Sequence, residues 1–325
     1  MNDDERLRGA LPAGYKVRRP RRDDLDEIVA LATAADVALS GESVASRNDL
    51  EADWAQSRFD TERNAIVVVA PEGGLAAYSW VFDSADHTQV DGQFLIHPDH
   101  QRRGLEAPLL AWVEELQRRL AGAAAPNSRV SLAVWCIRGD PRAALYEAAG
   151  FAHTRSFRRL RVALDELPGD PLEYAPPAGV ELRQFVRDRD ERAVWAAHQE
   201  AFRDHFRFAE EPFDEWVTRM MPGADTDIWY VAWAGDDVAG FVQSYVEPWG
   251  GYVDTLAVRR PWRRRGLGRV LLLTAFNALR RRGCGEAILG VDADNQTGAV
   301  GLYERAGMRE SQVHDFYEKE LPART

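Results

Sequence analysis

The run Arg263-Arg264-Arg265-Gly266-Leu267-Gly268-Arg269 sets a cluster of guanidinium groups and two glycines between an apolar stretch, Leu256-Ala257-Val258, and an amphipathic helix expected from Gly268 to Arg282. At such a junction the first N–H groups of the helix have no intrahelical acceptors, and the helix dipole adds partial positive charge, so the turn suits an anion. The glycines let a pyrophosphate approach the main chain, and the arginines add charge. The spacing departs from two commoner phosphate cradles. A dinucleotide-binding Rossmann turn needs a third glycine where Leu271 stands, and a P-loop needs Gly-Lys followed by Ser or Thr.

The elements that position this turn occur twice. Residues 94–120, FLIHPDHQRRGLEAPLLAWVEELQRRL, and residues 256–282, LAVRRPWRRRGLGRVLLLTAFNALRRR, each read as an apolar strand, a basic turn containing R-R-G-L and an amphipathic helix. LYEAAGF at 145–151 and LYERAGM at 302–308 follow in the same order and at nearly the same separation, which makes the chain a tandem duplication. A segment rich in proline and glycine, 166–179, reads as the linker between a first copy, 1–165, and a second, 180–325. In the second copy IWYVAWAGDD, VAGFVQSYVE and YVDTLAVRR read as three consecutive strands, AILGVDAD as a further strand and TGAVGLYERAG as a helix. The fold class is α/β (α+β), with a mixed central sheet flanked by helices in each copy.

Composition bounds the function. The 325 residues are about twice a typical domain, and 45% apolar residues suffice for two cores. A net charge of −11 argues against a nucleic-acid surface. There is neither a run of about 18 apolar residues for a membrane span nor the apolar stretch of a secretory leader, so the cytoplasm is expected. Cys136 and Cys284 are too few for a disulfide framework and lack metal-ligand spacing, so no metal is expected.

Taken together, L-A-V-x-x-x-x-R-R-R-G-L-G, then V-D-A-D-N, then L-Y-E-R-A-G-M resemble the cofactor motifs of the GNAT acyltransferases, and the duplicated arrangement resembles the mycothiol synthase-like group. The resemblance implies acetyl-CoA as co-substrate. It places Leu256, Ala257 and Val258 along the pantetheine arm and Arg263, Arg264, Arg265, Gly266, Leu267, Gly268 and Arg269 around the pyrophosphate. Asn295 and Tyr303 fall near the pantetheine and thioester. It implies N-acetyl transfer to a primary amine of a small molecule by direct attack on the thioester. Such chemistry needs a base for an alkylammonium of pKa ~10 and a proton for a thiolate of parent pKa ~8.5. Tyr303 is the candidate acid, and backbone N–H groups near Val258 are candidate oxyanion donors.

Many family members carry a glutamate where Tyr252 stands here. Asp254, expected on the same strand face by the period of two, is therefore the candidate base, with Glu247 and His205 as further candidates. In the first copy Glu106 stands where the turn pattern wants glycine or alanine, and no asparagine matches Asn295, so that copy is expected to be a degenerate scaffold. Two other readings stay open: a non-catalytic acyl-CoA-binding or sensing protein, and an aminoglycoside- or peptide-modifying acetyltransferase. The acceptor's identity, acyl chain length and oligomeric state are not legible.

Overall fold

Stretches with apolar residues at period two form strands and those at period 3.6 form helices in a computed structural model that describes residues 3–169, 172–221, 224–295 and 298–322. Asp170 and Pro171 of the expected linker lie outside the described residues. The first copy contains helix α1 Asp3–Ala10, strand β1 Lys16–Arg18, helices α2 Leu25–Ser40, α3 Arg47–Ala55 and α4 Thr61–Asn64, then strands β2 Ala65–Val69, β3 Leu75–Asp83 and β4 Gln89–Ile96. Helix α5 Glu106–Ala121, β5 Val130–Ile137, α6 Arg142–Ala148 and β6 Ala152–Ala163 follow. The second copy contains β7 Glu181–Gln184, α7 Glu191–Phe202, α8 Phe213–Met220, β8 Tyr230–Ala234, β9 Asp237–Glu247 and β10 Gly250–Val258. It ends with α9 Leu267–Arg281, β11 Glu286–Asp292, α10 Ala299–Arg305 and β12 Arg309–Leu321.

The chain divides into two units, Met1–Ser156 with His314–Thr325, and Phe157–Val313. In the first, β1 through β4 form an antiparallel run, and β4 pairs in parallel with β5. The antiparallel partner on the other side of β5 is the 314–321 part of β12. In the second unit, β7 through β10 are antiparallel and β10 pairs in parallel with β11. The antiparallel partner on the other side of β11 is the 157–163 part of β6. Each unit thus draws the strand beside its parallel pair from the other sequence repeat. The border falls at residue 156 rather than in the 166–179 segment, because Leu160 and Val162 are buried in the core of the second unit.

That core centres on α9, whose residues Val270 through Leu279 are all buried. Beneath it, Gly240 is obligatory: a Cβ there would lie 2.6 Å from the Ala257 carbonyl oxygen and 3.1 Å from Leu271 Cδ1. On the far side of α9 the proline-rich segment is strapped down. The Asn277 amide accepts from Leu172 N–H at 2.7 Å and donates to its carbonyl at 3.0 Å. The Arg280 guanidinium donates to the carbonyls of Leu164, Leu167 and Gly169.

Candidate active site

β10 and β11 pair only at Gly251–Ala287 and Tyr252–Ile288; beyond these positions the parallel strands share no register. The opposite edge of β10 continues with β9, where Leu256, Ala257 and Val258 face Val242, Phe241 and Gly240. The splay leaves room beside Leu256, Ala257 and Val258 for an extended ligand arm that pairs with a strand edge. At the start of the splay the register with β9 skips Asp254, between Val253–Ser244 and Thr255–Gln243. The bulge shifts the register against β9, yet burial still alternates along β10, with Gly251, Val253, Thr255 and Ala257 buried and Asp254 on the less buried face with Tyr252, as the period of two predicts. Asp254 is exposed between buried Val253 and Thr255.

The turn after β10 presents a row of donors. Gly266 caps α9 with φ of 82°, and Arg264 also adopts a left-handed φ of 60°. Among the described residues, no acceptor meets the backbone N–H groups of Arg264, Arg265, Gly266, Leu267 and Gly268. Arg264, Arg265, Gly266 and Arg269 are exposed, and the Arg265 guanidinium stacks 4.9 Å over Trp262. Arg263 is differently engaged. Its Nε donates to the Val258 carbonyl at 3.0 Å and its Nη2 to the Ala201 carbonyl at 3.1 Å, so its side chain ties the turn to the end of α7. Arg259 with Glu200 (2.7 Å) and Arg260 with Asp204 extend this clasp.

Tyr303 projects from α10 into the core and is 7% exposed. Its hydroxyl has no hydrogen-bond partner among the described residues, and burial pushes the phenol up to about 12. Asn295 follows β11 in a turn closed by its N–H to the Asp292 carbonyl at 3.1 Å, with Asp294 N–H donating to Asp292 Oδ1 at 2.9 Å.

Asp254 touches solvent yet is crowded by the protein around it. This crowding raises its carboxyl above the ordinary carboxylate range, against the opposing pull of Thr255 Oγ1, which donates to Oδ2 at 2.8 Å, and of the Arg219 charge. The face of β10 that carries Tyr252 looks toward α8: Tyr245, opposite Tyr252, donates to the Met220 carbonyl at 3.4 Å. The Tyr252 hydroxyl lies over Gly290, 3.8 Å from where a Cβ would stand. Glu247 is buried at the closed end of the hairpin opposite Gly250, remote in sequence from the splay. His205 packs on Phe202 with ring centroids 4.2 Å apart, and burial lowers its pKa.

Three groups on this side were not singled out in the sequence. His198 of α7 stacks on Phe202 at 4.6 Å, and burial, aided by the Arg219 charge, brings its imidazole down to about 4. Arg219 of α8 grips Glu211 through Nε at 2.9 Å and Nη2 at 2.7 Å. A single arginine at a helix end carries no sequence signal of such a role.

Asparagine at Asp254 tests the burial argument. The folded state holds this proton more tightly than the unfolded chain, so the contribution to stability is present at low pH and is lost as pH rises through the raised pKa. Asp254→Asn is therefore expected to melt above wild type at neutral pH, with the difference vanishing toward acidic pH. The gain is modest because solvent screens the carboxylate. Thermal melts at a series of pH values measure it; a lower melting temperature at neutral pH contradicts the assignment.

The first unit has the same framework with its openings filled. Its turn repeats the geometry, with φ of 59° at Arg102 and 86° at Gly104. There, however, the Glu106 carboxylate accepts from the Arg102 N–H at 2.6 Å. Where β4 and β5 part beyond Asp91–Ala133, Gln93 Nε2 donates to the Trp135 carbonyl at 2.6 Å and Arg142 donates to the Phe94 carbonyl. Tyr146, which corresponds to Tyr303, is fully buried and donates to Gln93 Oε1 at 3.3 Å and the Trp135 carbonyl at 3.4 Å.

Two copies of a mixed sheet with a splayed parallel pair and a donor-rich turn leading into a helix define a tandem GNAT architecture. The acetyltransferase (GNAT) family profile matches residues 191–308. A mycothiol acetyltransferase of Thermomonospora curvata is 30% identical over 264 residues, spanning 80% of this chain and 84% of that protein. One from Catenulispora acidiphila is 27% identical over 318 residues, spanning 93% and 97%. A solved GCN5-related N-acetyltransferase from Sphaerobacter thermophilus superposes with a TM-score of 0.80 at 31% identity, covering 97% of this chain and 98% of that one. A tandem GNAT protein from the clavulanic acid biosynthesis pathway shares the fold, with a TM-score of 0.69 at 17% identity over 94% of this chain and 98% of that one. The chain belongs to the GNAT acetyltransferase family. It is a tandem GNAT enzyme, similar to the mycothiol acetyltransferases along most of its length. No helix among its described residues is long and apolar enough to cross a membrane.

Proposed function

We propose that the second unit moves an acetyl group from acetyl-CoA to a primary amine of a small molecule, the amine attacking the thioester directly. The observation that carries this reading is the row of N–H groups from Arg264 to Gly268 that meet no acceptor among the described residues, at the foot of the β10–β11 splay. In this reading those groups, with the exposed arginines 264, 265 and 269, hold the pyrophosphate. The edge of Leu256, Ala257 and Val258 pairs with the pantetheine arm, and Asn295 lies near the same arm. Backbone N–H groups near Val258 donate to the carbonyl oxygen as it gains negative charge. Asp254 takes the ammonium proton, directly or through water, so that nitrogen bonds the acetyl carbon as a neutral amine. As the carbon–sulfur bond breaks, the nitrogen gives up its second proton, which passes through solvent to the sulfur, and Tyr303 donates a hydrogen bond to the departing thiolate.

The relatives' name makes a mycothiol-type acceptor the first to test. Release of the CoA thiol on adding such an acceptor, beside a panel of simple amines and aminoglycosides, is the decisive assay. Binding of acetyl-CoA with no thiol release from any amine would contradict the reading.

The filled openings of the first unit support a single working site. Calorimetric titration with acetyl-CoA is expected to give one site per chain. Tyr146→Phe, which alters only long hydrogen bonds in the first unit, is expected to leave turnover unchanged and cost about 0.5–1.5 kcal/mol of stability. Two sites per chain would remove the scaffold assignment.

A further inference from the structure

We infer that Arg265, seated on the indole of Trp262, binds the phosphomonoester on the adenosine ribose of acetyl-CoA, so that the second unit distinguishes the full cofactor from its dephospho form. This rests on the acetyl-CoA reading above and narrows it: Arg264 and Arg269 stay with the pyrophosphate, and Arg265 serves the far end of the same molecule. Six arginines lie between positions 259 and 269, and three of them are already committed. Arg259 pairs with Glu200 at 2.7 Å, Arg260 pairs with Asp204, and Arg263 holds the Val258 and Ala201 carbonyls. Arg264, Arg265 and Arg269 are exposed and form no ion pair among the described residues. In a chain of net charge −11, they leave a local excess of positive charge beside the row of N–H donors.

Arg265 differs from the other two in being held. Its guanidinium carbon sits 4.9 Å from the centre of the Trp262 ring, and Trp262 is half-buried and packed against the core of the second unit. A cation over an indole face is attracted to the ring and has less side-chain freedom left to lose when it meets an anion. Trp262 lies in the single turn Arg260–Trp262 that precedes the donors, so the Arg265 side chain reaches back from the N–H row instead of lying along it. In the first unit His100 stands at the position of Trp262; it is buried, with Nδ1 3.0 Å from the Tyr15 hydroxyl. The indole seat thus accompanies the turn with open N–H groups, not the turn closed by Glu106. The cofactor's chemistry names the group that the seat fits. Its pyrophosphate has one charge on each phosphorus, which the N–H row, Arg264 and Arg269 answer. Its ribose phosphomonoester carries about −1.5 to −2 at neutral pH and needs a further cation. A planar guanidinium meets such a group with paired N–H bonds.

Calorimetric titration of the full chain with acetyl-CoA and with acetyl-dephospho-CoA tests this by binding alone. Wild type is expected to bind acetyl-CoA about 10-fold or more tightly, the worth of one charge-assisted hydrogen bond. That preference is expected to shrink as pH falls through about 6, where the phosphomonoester takes up its second proton. Arg265→Met is expected to reduce the preference to less than about 2-fold while affinity for the dephospho probe stays close to wild type. The side chain is exposed, so cutting it back leaves the fold intact. Trp262→Leu, which removes the seat and keeps the arginine, is expected to give an intermediate preference; Arg265→Met carries the test alone should that variant fold poorly. Arg264→Met is expected to weaken both probes by a similar factor. Three results overturn the assignment and leave the pyrophosphate turn standing: equal affinity of wild type for the two probes, a preference that survives in Arg265→Met, or an equal loss of both probes in that variant. Binding of neither probe by wild type removes the acetyl-CoA reading as well.

Discussion

Tyr303→Phe is expected to lower kcat by about 10²-fold while leaving acetyl-CoA affinity and melting temperature close to wild type. The ring packs in the core of the second unit, and phenylalanine keeps that packing. The hydroxyl has no protein partner among the described residues, so its removal breaks no hydrogen bond that holds the fold. Burial sharpens its chemical role. At about 12 the phenol stays protonated across the working pH range and is a standing donor. Complete proton transfer to a thiolate of parent pKa ~8.5 is uphill, so the hydroxyl acts first by stabilising negative sulfur as the bond breaks. It follows that an alkaline limb in the pH–rate profile below about pH 11 does not belong to Tyr303. A loss confined to KM would assign the hydroxyl to uniform binding. Unchanged kcat, with the chemical step shown to limit the rate, would make Tyr303 a packing residue and leave stabilisation of the sulfur to other groups.

The parts of the site made by local sequence were legible. A strand, an arginine- and glycine-rich turn and a helix are contiguous, and their periodicities locate β8, β9, β10, α9, β11 and α10 to within about two residues. What depends on distant pairing was not. The proline-rich segment looked like a border between copies, but composition cannot report that residues 157–163 pair with β11 or that 314–321 pair with β5. Strand periodicity could not anticipate the bulge at Asp254, because the extra residue is defined by its partner strand. Likewise, Arg263 reads as one of three equivalent basic residues until its guanidinium is found on two backbone carbonyls. In the first unit Glu106 was a visible departure from the pattern, whereas the blockade by Gln93 and Arg142 requires side chains from a strand and a helix to meet.

The contrast between Glu106 and Gly268 supplies the sharpest manipulation of the site. Both turns have a left-handed arginine two residues before a left-handed glycine, Arg102 with Gly104 and Arg264 with Gly266. They differ in what meets the arginine N–H: Glu106 in one, and no acceptor among the described residues in the other. Gly268→Glu is expected to fold its carboxylate back onto the Arg264 N–H, putting negative charge where the pyrophosphate would sit. Loss of charge-assisted hydrogen bonds at about 1.5–3 kcal/mol each, together with like-charge repulsion, predicts at least about 10²-fold weaker acetyl-CoA binding. The backbone tolerates the change, because an added Cβ would approach Leu302 Cδ2 at 3.1 Å, the movable end of a side chain. Gly268→Gln adds nearly the same bulk without charge and is expected to lose far less affinity, which separates crowding from electrostatics. Equal affinity of Gly268→Glu and wild type in calorimetry would remove the pyrophosphate from this turn. The reverse change, Glu106→Gly, is not expected to create a second site, because Gln93 and Arg142 still occupy the parting between β4 and β5. A second equivalent of acetyl-CoA bound by that variant would mean that the carboxylate alone keeps the first unit closed.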